Sequence, residues 1–250
     1  MPRPRRTFGS HRKHEVGLRP GIKPVVSETL AAWKDEPVRP IQKYVGSASG
    51  RLEPHLSLIE AAFEGATSYA CEHIRAEGID VIFADAPNDA IPEWGVGGAT
   101  CSPYFILISV DPNFALERQN IEATLVHEYH HAMRWRVSEF SADLAQLLVS
   151  EGLAVLFEEE CVGEPPFYSD ANITEQEMAM ANIDLHAQPF DQKKWFFGAE
   201  GITKAFGYTY GYRLCKKYSL AAGKSASELL GVSAKEVLDH SLTARQKSSK

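Results

Sequence analysis

Hydrophobic positions along this chain follow two periods, separated by short runs of Gly, Pro and Asp. From about residue 54 to 77, Leu56, Ile59, Ala62 and Phe63 fall on a helical period. The runs Ile79 to Phe83 and Tyr104 to Val110 are β-branched or aromatic and predict strands. Between them Gly95 to Gly98 predict a loop, either a plain turn or one whose glycines admit another backbone at close range. Ile121, Ala123 to Val126, Ala132, Met133 and Trp135 place apolar residues on both sides of residues 127–131, the pattern of a helix packed inside a protein. A second helix is predicted from about Ser138 to Glu160, then a loop at Pro165 and Pro166, then a helix opened by the capping pattern Thr174 to Glu177. A further helix runs from about Ile202 to Ala222, and two short helical segments begin near Ser225 and Ser233. Few strands among many helices predict an α+β fold, a small sheet packed on several helices in one domain over residues 27–244.

Composition adds limits. At 250 residues, 44% hydrophobic and 24% charged, the chain is long enough for one substantial core. No apolar run approaches 18 residues, so no membrane span is expected. Arg5 and Arg6 suggest a twin-arginine signal, but Gly9 to Glu15 is polar where such a signal needs an apolar stretch. Cys71, Cys101, Cys161 and Cys215 have no paired spacing and read as scattered reduced thiols, which predicts a cytoplasmic location. The net charge is −7, yet residues 1–23 carry +6, so the remainder carries −13. With four prolines in the first 24 residues, residues 1–26 read as a basic, disordered arm, and 245–250 as a flexible tail. Such an arm either folds back on the acidic body or contacts nucleic acid or an anionic membrane.

The densest chemistry is HEYHH, residues 127–131, which contains HExxH. At about 100° per residue, His127 and His131 lie roughly 40° apart on one helix face and can reach one metal ion. Glu128 sits one step round, in the general-base position of metallopeptidases, without having to ligate. His130 lies about 60° to the other side and reads as a supporting or core histidine. A buried imidazole pair without partners leaves ring nitrogens unsatisfied, at about 1–3 kcal/mol each, and a metal removes that cost.

Catalytic zinc takes three protein ligands and keeps a position for water. The extended pattern HExxHxxGxxH is excluded, because Arg134 and Val137 stand where glycine and the third histidine are required. The next predicted helix offers Asp143, Glu151 and Glu158 to Glu160. Glu151 is isolated in the apolar run Leu147 to Phe157, and burying an unpaired carboxylate is prohibitive. It is therefore a metal ligand or the partner of Arg134 or Arg136. Glu158 to Glu160 read as a solvated helix end.

HEYHHAMRW followed after a helix by SEGLA resembles a bacterial family of zinc-dependent proteases whose activity is itself a prediction. More distantly, the step from His131 to Glu151 resembles the thermolysin-like gluzincins, in which a glutamate on the next helix completes HExxH. The resemblance extends over roughly residues 50 to 240, through Ala90 to Gly98, Ser109 to Pro112 and Gly207, Tyr208, Gly211, Tyr212. It implies a zincin-like domain with HExxH on a central helix, and a sheet edge before that helix able to pair with an extended peptide, a place Tyr104 to Val110 would take. It also implies a histidine or tyrosine that stabilises the oxyanion. Tyr208 and Tyr212, four apart on one face, are the candidates, Tyr208 first, with His186 behind them. Val155 stands where thermolysin has an aspartate supporting a zinc histidine, so that support must come from elsewhere, Glu158 or Asp143.

Together these features predict a zinc metallopeptidase with His127, His131 and Glu151 on Zn2+, Glu128 as general base, Tyr208 or Tyr212 as oxyanion donor, and a peptide or protein as substrate. A zinc hydrolase of a non-peptide amide or ester would use the same residues. A binding protein, zinc-stabilised or metal-free, with a basic arm is the reading from another class.

Overall fold

A computed structural model describes residues 39–138 and 143–248, with side chains through Ser241. The arm expected over residues 1–26 lies outside the described residues. The first strand is β1 (Gln42–Val45), followed by a 3-10 turn and helix α1 (Leu56–Ile74). Next come β2 (Asp80–Asp85), β3 (Val96–Ser102) and β4 (Phe105–Val110). Six more helices follow: α2 (Arg118–Val137), α3 (Leu144–Val162), α4 (Glu175–Asp184), α5 (Gln192–Phe197), α6 (Phe206–Ala222) and α7 (Ala234–Ser248). Among the described residues the architecture is thus the expected α+β one, in one domain. No described helix is long and apolar enough to cross a membrane. Helix α7 takes in residues 245–248 of the segment expected as a tail.

The strands lie in the order β1-β2-β4-β3, with β1, β2 and β4 parallel and β3 antiparallel to β4. Alternation decides the faces: Val81 and Phe83 of β2, and Ile106, Ile108 and Val110 of β4, turn inward and are buried. They meet Ile59, Ala62, Ala66, Ala70 and Ile74 of α1, whose three- and four-residue spacing makes one apolar stripe. Helix α2 is buried continuously from Ala123 to His130, because it lies between the sheet with α1 on one side and α3 on the other. A second core joins α3 to α4, α5, α6 and α7 around Leu148, Leu153, Trp195, Phe206 and Val237.

Three expectations change. Tyr104 to Val110 is not the sheet edge: β4 lies inside the sheet, and the edges among the described residues are β1 and β3. The Gly95 to Gly98 segment is a loop only at Gly95, since Val96 opens β3 and pairs with Val110. Its sequence, VGGATCS, has little strand propensity, so tertiary pairing overrides local preference. The second helix begins at Leu144, where the Asp143 carboxylate caps it by accepting from the Gln146 backbone N–H at 2.8 Å.

Helices α3 and α6 cross at a glycine pair. A Cβ on Gly152 would run into the Gly211 carbonyl, and one on Gly211 into that of Leu148. Side chains are excluded there by backbone on both sides. Gly211→Ala should therefore destabilise the fold by about 1–3 kcal/mol, the usual range for overpacking, visible as a lower urea midpoint.

The capping box at Thr174 forms as the sequence predicts and carries an added contact. Glu177 Oε2 accepts from the Thr174 backbone N–H at 2.7 Å, while Oε1 accepts from the Thr203 backbone N–H at 2.5 Å, tying the start of α4 to the loop before α6. Burial alone would raise the Glu177 pKa, but these donors bring it down to about 2. A depressed carboxylate contributes stability above its unfolded pKa and loses it as pH falls through the folded one. Glu177→Gln should cost about 1–3 kcal/mol at pH 7, and the gap from wild type should close between about pH 4.5 and 2 in chemical denaturation curves.

Candidate metal centre

Helix α2 runs through the middle of the molecule, and its one-turn repeat brings His127 and His131 to the face turned toward α3. His131 Nδ1 lies 3.2 Å from Ser150 Oγ, and His127 Nδ1 lies 3.2 Å from Glu158 Oε2. Later residues of α3 thus meet earlier residues of α2, so the two helices run antiparallel. Between those contacts Glu151 projects at the pair. Its Oε2 is 3.3 Å from each histidine Nε2, and the two Nε2 atoms are 3.0 Å apart. Among the described residues this is the cluster of His, Cys, Asp or Glu able to hold a metal ion.

The donor chemistry of this triangle fits a cation. A carboxylate only accepts, so the contact with Glu158 places the His127 proton on Nδ1 and leaves Nε2 with a bare lone pair. Ser150 can accept from His131 Nδ1 in the same way. Two bare nitrogens and a carboxylate oxygen then face one another at 3.0–3.3 Å, an arrangement that repels unless a positive charge lies among them. Tetrahedral zinc with bonds of about 2.0–2.2 Å separates its ligands by about 3.3–3.6 Å, near the spacing seen. Without a metal, the same crowding of acceptors favours a second proton on His127 in the place of a cation. Burial would lower the His127 pKa, but Glu151 and Glu158 raise it well above the ordinary value. Burial would raise that of Glu151, but the two histidines bring it down and keep the carboxylate ionised.

Neither arginine competes for Glu151. The buried Arg134 guanidinium donates to the Leu230 and Val232 carbonyls at 2.6 and 2.8 Å, and desolvation lowers its pKa to about 10. Arg136 donates to the carbonyls of Pro103, Glu77 and Gly78. The arginines pin loops to the end of α2 and leave the glutamate to the histidines.

Glu128 is buried beside the edge strand. Its Oε2 accepts from the Thr100 hydroxyl at 2.7 Å, and a Cβ on Gly98 would lie 2.6 Å from both its Cγ and Oε1. A glycine in β3 thus makes room for this carboxylate, and a threonine two residues on orients it. His130 is fully buried against the Phe157 ring, with neither ring nitrogen bonded to another described residue. Burial, helped by His131 and Arg134, pushes its pKa well down and keeps it neutral. Its place is in the core.

The two tyrosines part company. The Tyr208 ring packs edge-on against Tyr168 and Phe196, each at 5.1 Å. Burial raises its pKa, and the Glu151 and Glu128 carboxylates raise it further, so its hydroxyl stays protonated beside the site. One turn on, the Tyr212 hydroxyl instead donates to Glu159 Oε2 at 2.9 Å, on a carboxylate also held by Lys216. A turn advances along α6 by about 5.4 Å, enough to take Tyr212 from the histidines to the far end of α3.

The remaining expectations on α3 also change. Glu158 is not solvated: it is fully buried, two turns beyond Glu151 on the same face, while Glu160 is exposed. Burial raises its pKa, against His127 and Tyr168, which lower it. Asp143 gives no support to the histidines, because it caps α3 and pairs with the exposed His186. That pairing also holds His186 on the surface. Two residues at the site, Thr100 and Tyr168, have no signature in the sequence, since long-range contacts alone bring them there, and the close approach that Gly98 allows is made by the Glu128 side chain.

A family model described as predicted Zn-dependent protease (DUF2268) matches residues 59–239, from α1 into α7 and across every residue of the triangle. A search among curated proteins finds no match. With that model covering most of its length and the His127, His131 and Glu151 triangle inside the match, the chain belongs to this family of predicted zinc-dependent proteases.

Proposed function

We propose that this protein is a zinc metallopeptidase of the gluzincin type, in which His127, His131 and Glu151 hold the metal. The observation that carries the reading is the convergence of three metal-binding atoms at 3.0–3.3 Å, with a buried carboxylate, Glu128, next to one of them in sequence. Zinc bound by such a set polarises a carbonyl and lowers the pKa of water to about 7.

The chain's own residues supply the rest. Glu128, oriented by Thr100, takes a proton from the attacking water and passes it to the leaving amine. Strand β3 has no further strand beside it among the described residues, so an extended peptide can add there, with Gly98 and Ala99 exposed. Tyr208 keeps its proton and donates a hydrogen bond to the oxyanion. Four unpaired cysteines suit a reducing, cytoplasmic setting.

Protein purified without added metal should contain about one zinc per chain by elemental analysis, and Glu128→Gln should keep that zinc while slowing cleavage of a peptide library by at least about 10²-fold. Zinc with undiminished cleavage in the variant would assign the base elsewhere, and no zinc binding on titration would remove the enzyme reading. Tyr208→Phe should lower the catalytic rate by about 10²-fold with zinc content and melting temperature unchanged, whereas Tyr212→Phe should leave the rate near wild type.

A further inference from the structure

His127 is held from behind by a chain of contacts that ends outside both metal-bearing helices. Its Nδ1 lies 3.2 Å from Glu158 Oε2, and the same oxygen accepts from the Tyr168 hydroxyl at 2.7 Å. The other Glu158 oxygen is buried and has no partner among the described residues. Two donors meeting on one oxygen therefore set the rotation of this carboxylate, and one of the two is the ligand itself.

Tyr168 is itself fixed from three sides. Its backbone carbonyl accepts from Thr209 Oγ of α6 at 3.1 Å. Its ring packs edge-on against Trp94, in the loop before β3, at 5.7 Å and against Tyr208 at 5.1 Å. It comes from the turn Phe167–Ser169 after Pro166, so its backbone belongs to neither of the helices that carry the histidines and Glu151.

We propose that Tyr168 is a positioning residue for the metal centre, its hydroxyl holding Glu158 Oε2 against His127 Nδ1 so that His127 Nε2 stays bare and aimed at Glu151 and His131. This rests on the zinc reading above. Without the hydroxyl, Glu158 keeps its burial but is free to turn about its last carbon bond, and the imidazole loses the fixed acceptor that selects its tautomer and ring plane. Partners of this kind change metal affinity by about 10- to 100-fold.

The test is zinc affinity measured by chelator competition in wild type, Tyr168→Phe, Glu158→Gln and the double variant, with Trp94→Phe as a packing control. Tyr168→Phe should weaken zinc binding by about 10-fold and alter the visible spectrum of the cobalt-loaded protein, with the metal-free melting temperature unchanged. In the Glu158→Gln background the same substitution should change affinity by less than about 2-fold, because the hydroxyl acts through that carboxylate. Trp94→Phe, which leaves the hydroxyl in place, should stay within about 2-fold of wild type. The proposal is overturned by wild-type affinity in Tyr168→Phe, by an equal loss in both backgrounds, or by a Tyr168→Phe protein that does not fold, each of which makes the residue structural. Wild type that binds no zinc would instead defeat the functional reading from which this one starts.

Discussion

The face-to-face packing of α2 on α3 decides most of what this molecule can do. Each helix buries polar groups that cannot be left alone: two imidazoles on one side, Glu151 and Glu158 on the other. An ionised carboxylate in an apolar helix costs several kcal/mol unless it is paired, so the antiparallel register is constrained to bring these groups together. Sliding one helix by a turn, about 5.4 Å, would break every one of those contacts at once. The register is itself fixed elsewhere, by the sheet and α1 behind α2 and by the Gly152 and Gly211 crossing behind α3.

The same packing sorts chemically similar groups into different roles. Glu151 and Glu158 lie on one face of one helix, but Glu151 faces both Nε2 atoms while Glu158 meets a single Nδ1 and a tyrosine hydroxyl. Glu128, nearest to the histidines in sequence, turns to Thr100 on the edge strand instead. Three carboxylates, Glu128 and Glu158 buried and Glu151 partly so, thus sit in three environments: between two histidines, behind one of them, and beside a strand edge. A divalent ion in the triangle would offset the crowding of negative charge that burial otherwise penalises.

Strand β3 couples the sheet to this arrangement. Its Gly98 leaves space for the Glu128 side chain and its Thr100 orients it, while on its other edge the strand has no neighbouring strand among the described residues. The loop that leads into it carries Trp94, which touches the Tyr168 ring behind Glu158. Glu128, the Tyr168 ring and the strand edge are therefore joined through one short strand and its preceding loop.

Local pattern alone determined the elements whose signal is periodic: α1 from Ile59 and Ala62, the inward alternation of Val81, Phe83, Ile106 and Ile108, the capping box at Thr174, and the buried course of α2. It also determined the chemistry that a helix fixes by itself, since four-residue spacing puts His127 and His131 on one face, and it singled out Glu151 as a carboxylate in an apolar run. What spans separate elements was decided by tertiary structure. VGGATCS became the edge strand because β4 pairs with it, Glu158 was buried because α2 covers its face, and Tyr208 and Tyr212 were separated because α6 crosses α3 at an angle that only packing sets. The roles of Thr100 and Tyr168, and what Gly98 makes room for, could not be read in advance: periodicity reports which way a side chain faces its own element, whereas these depend on what a distant element places opposite them.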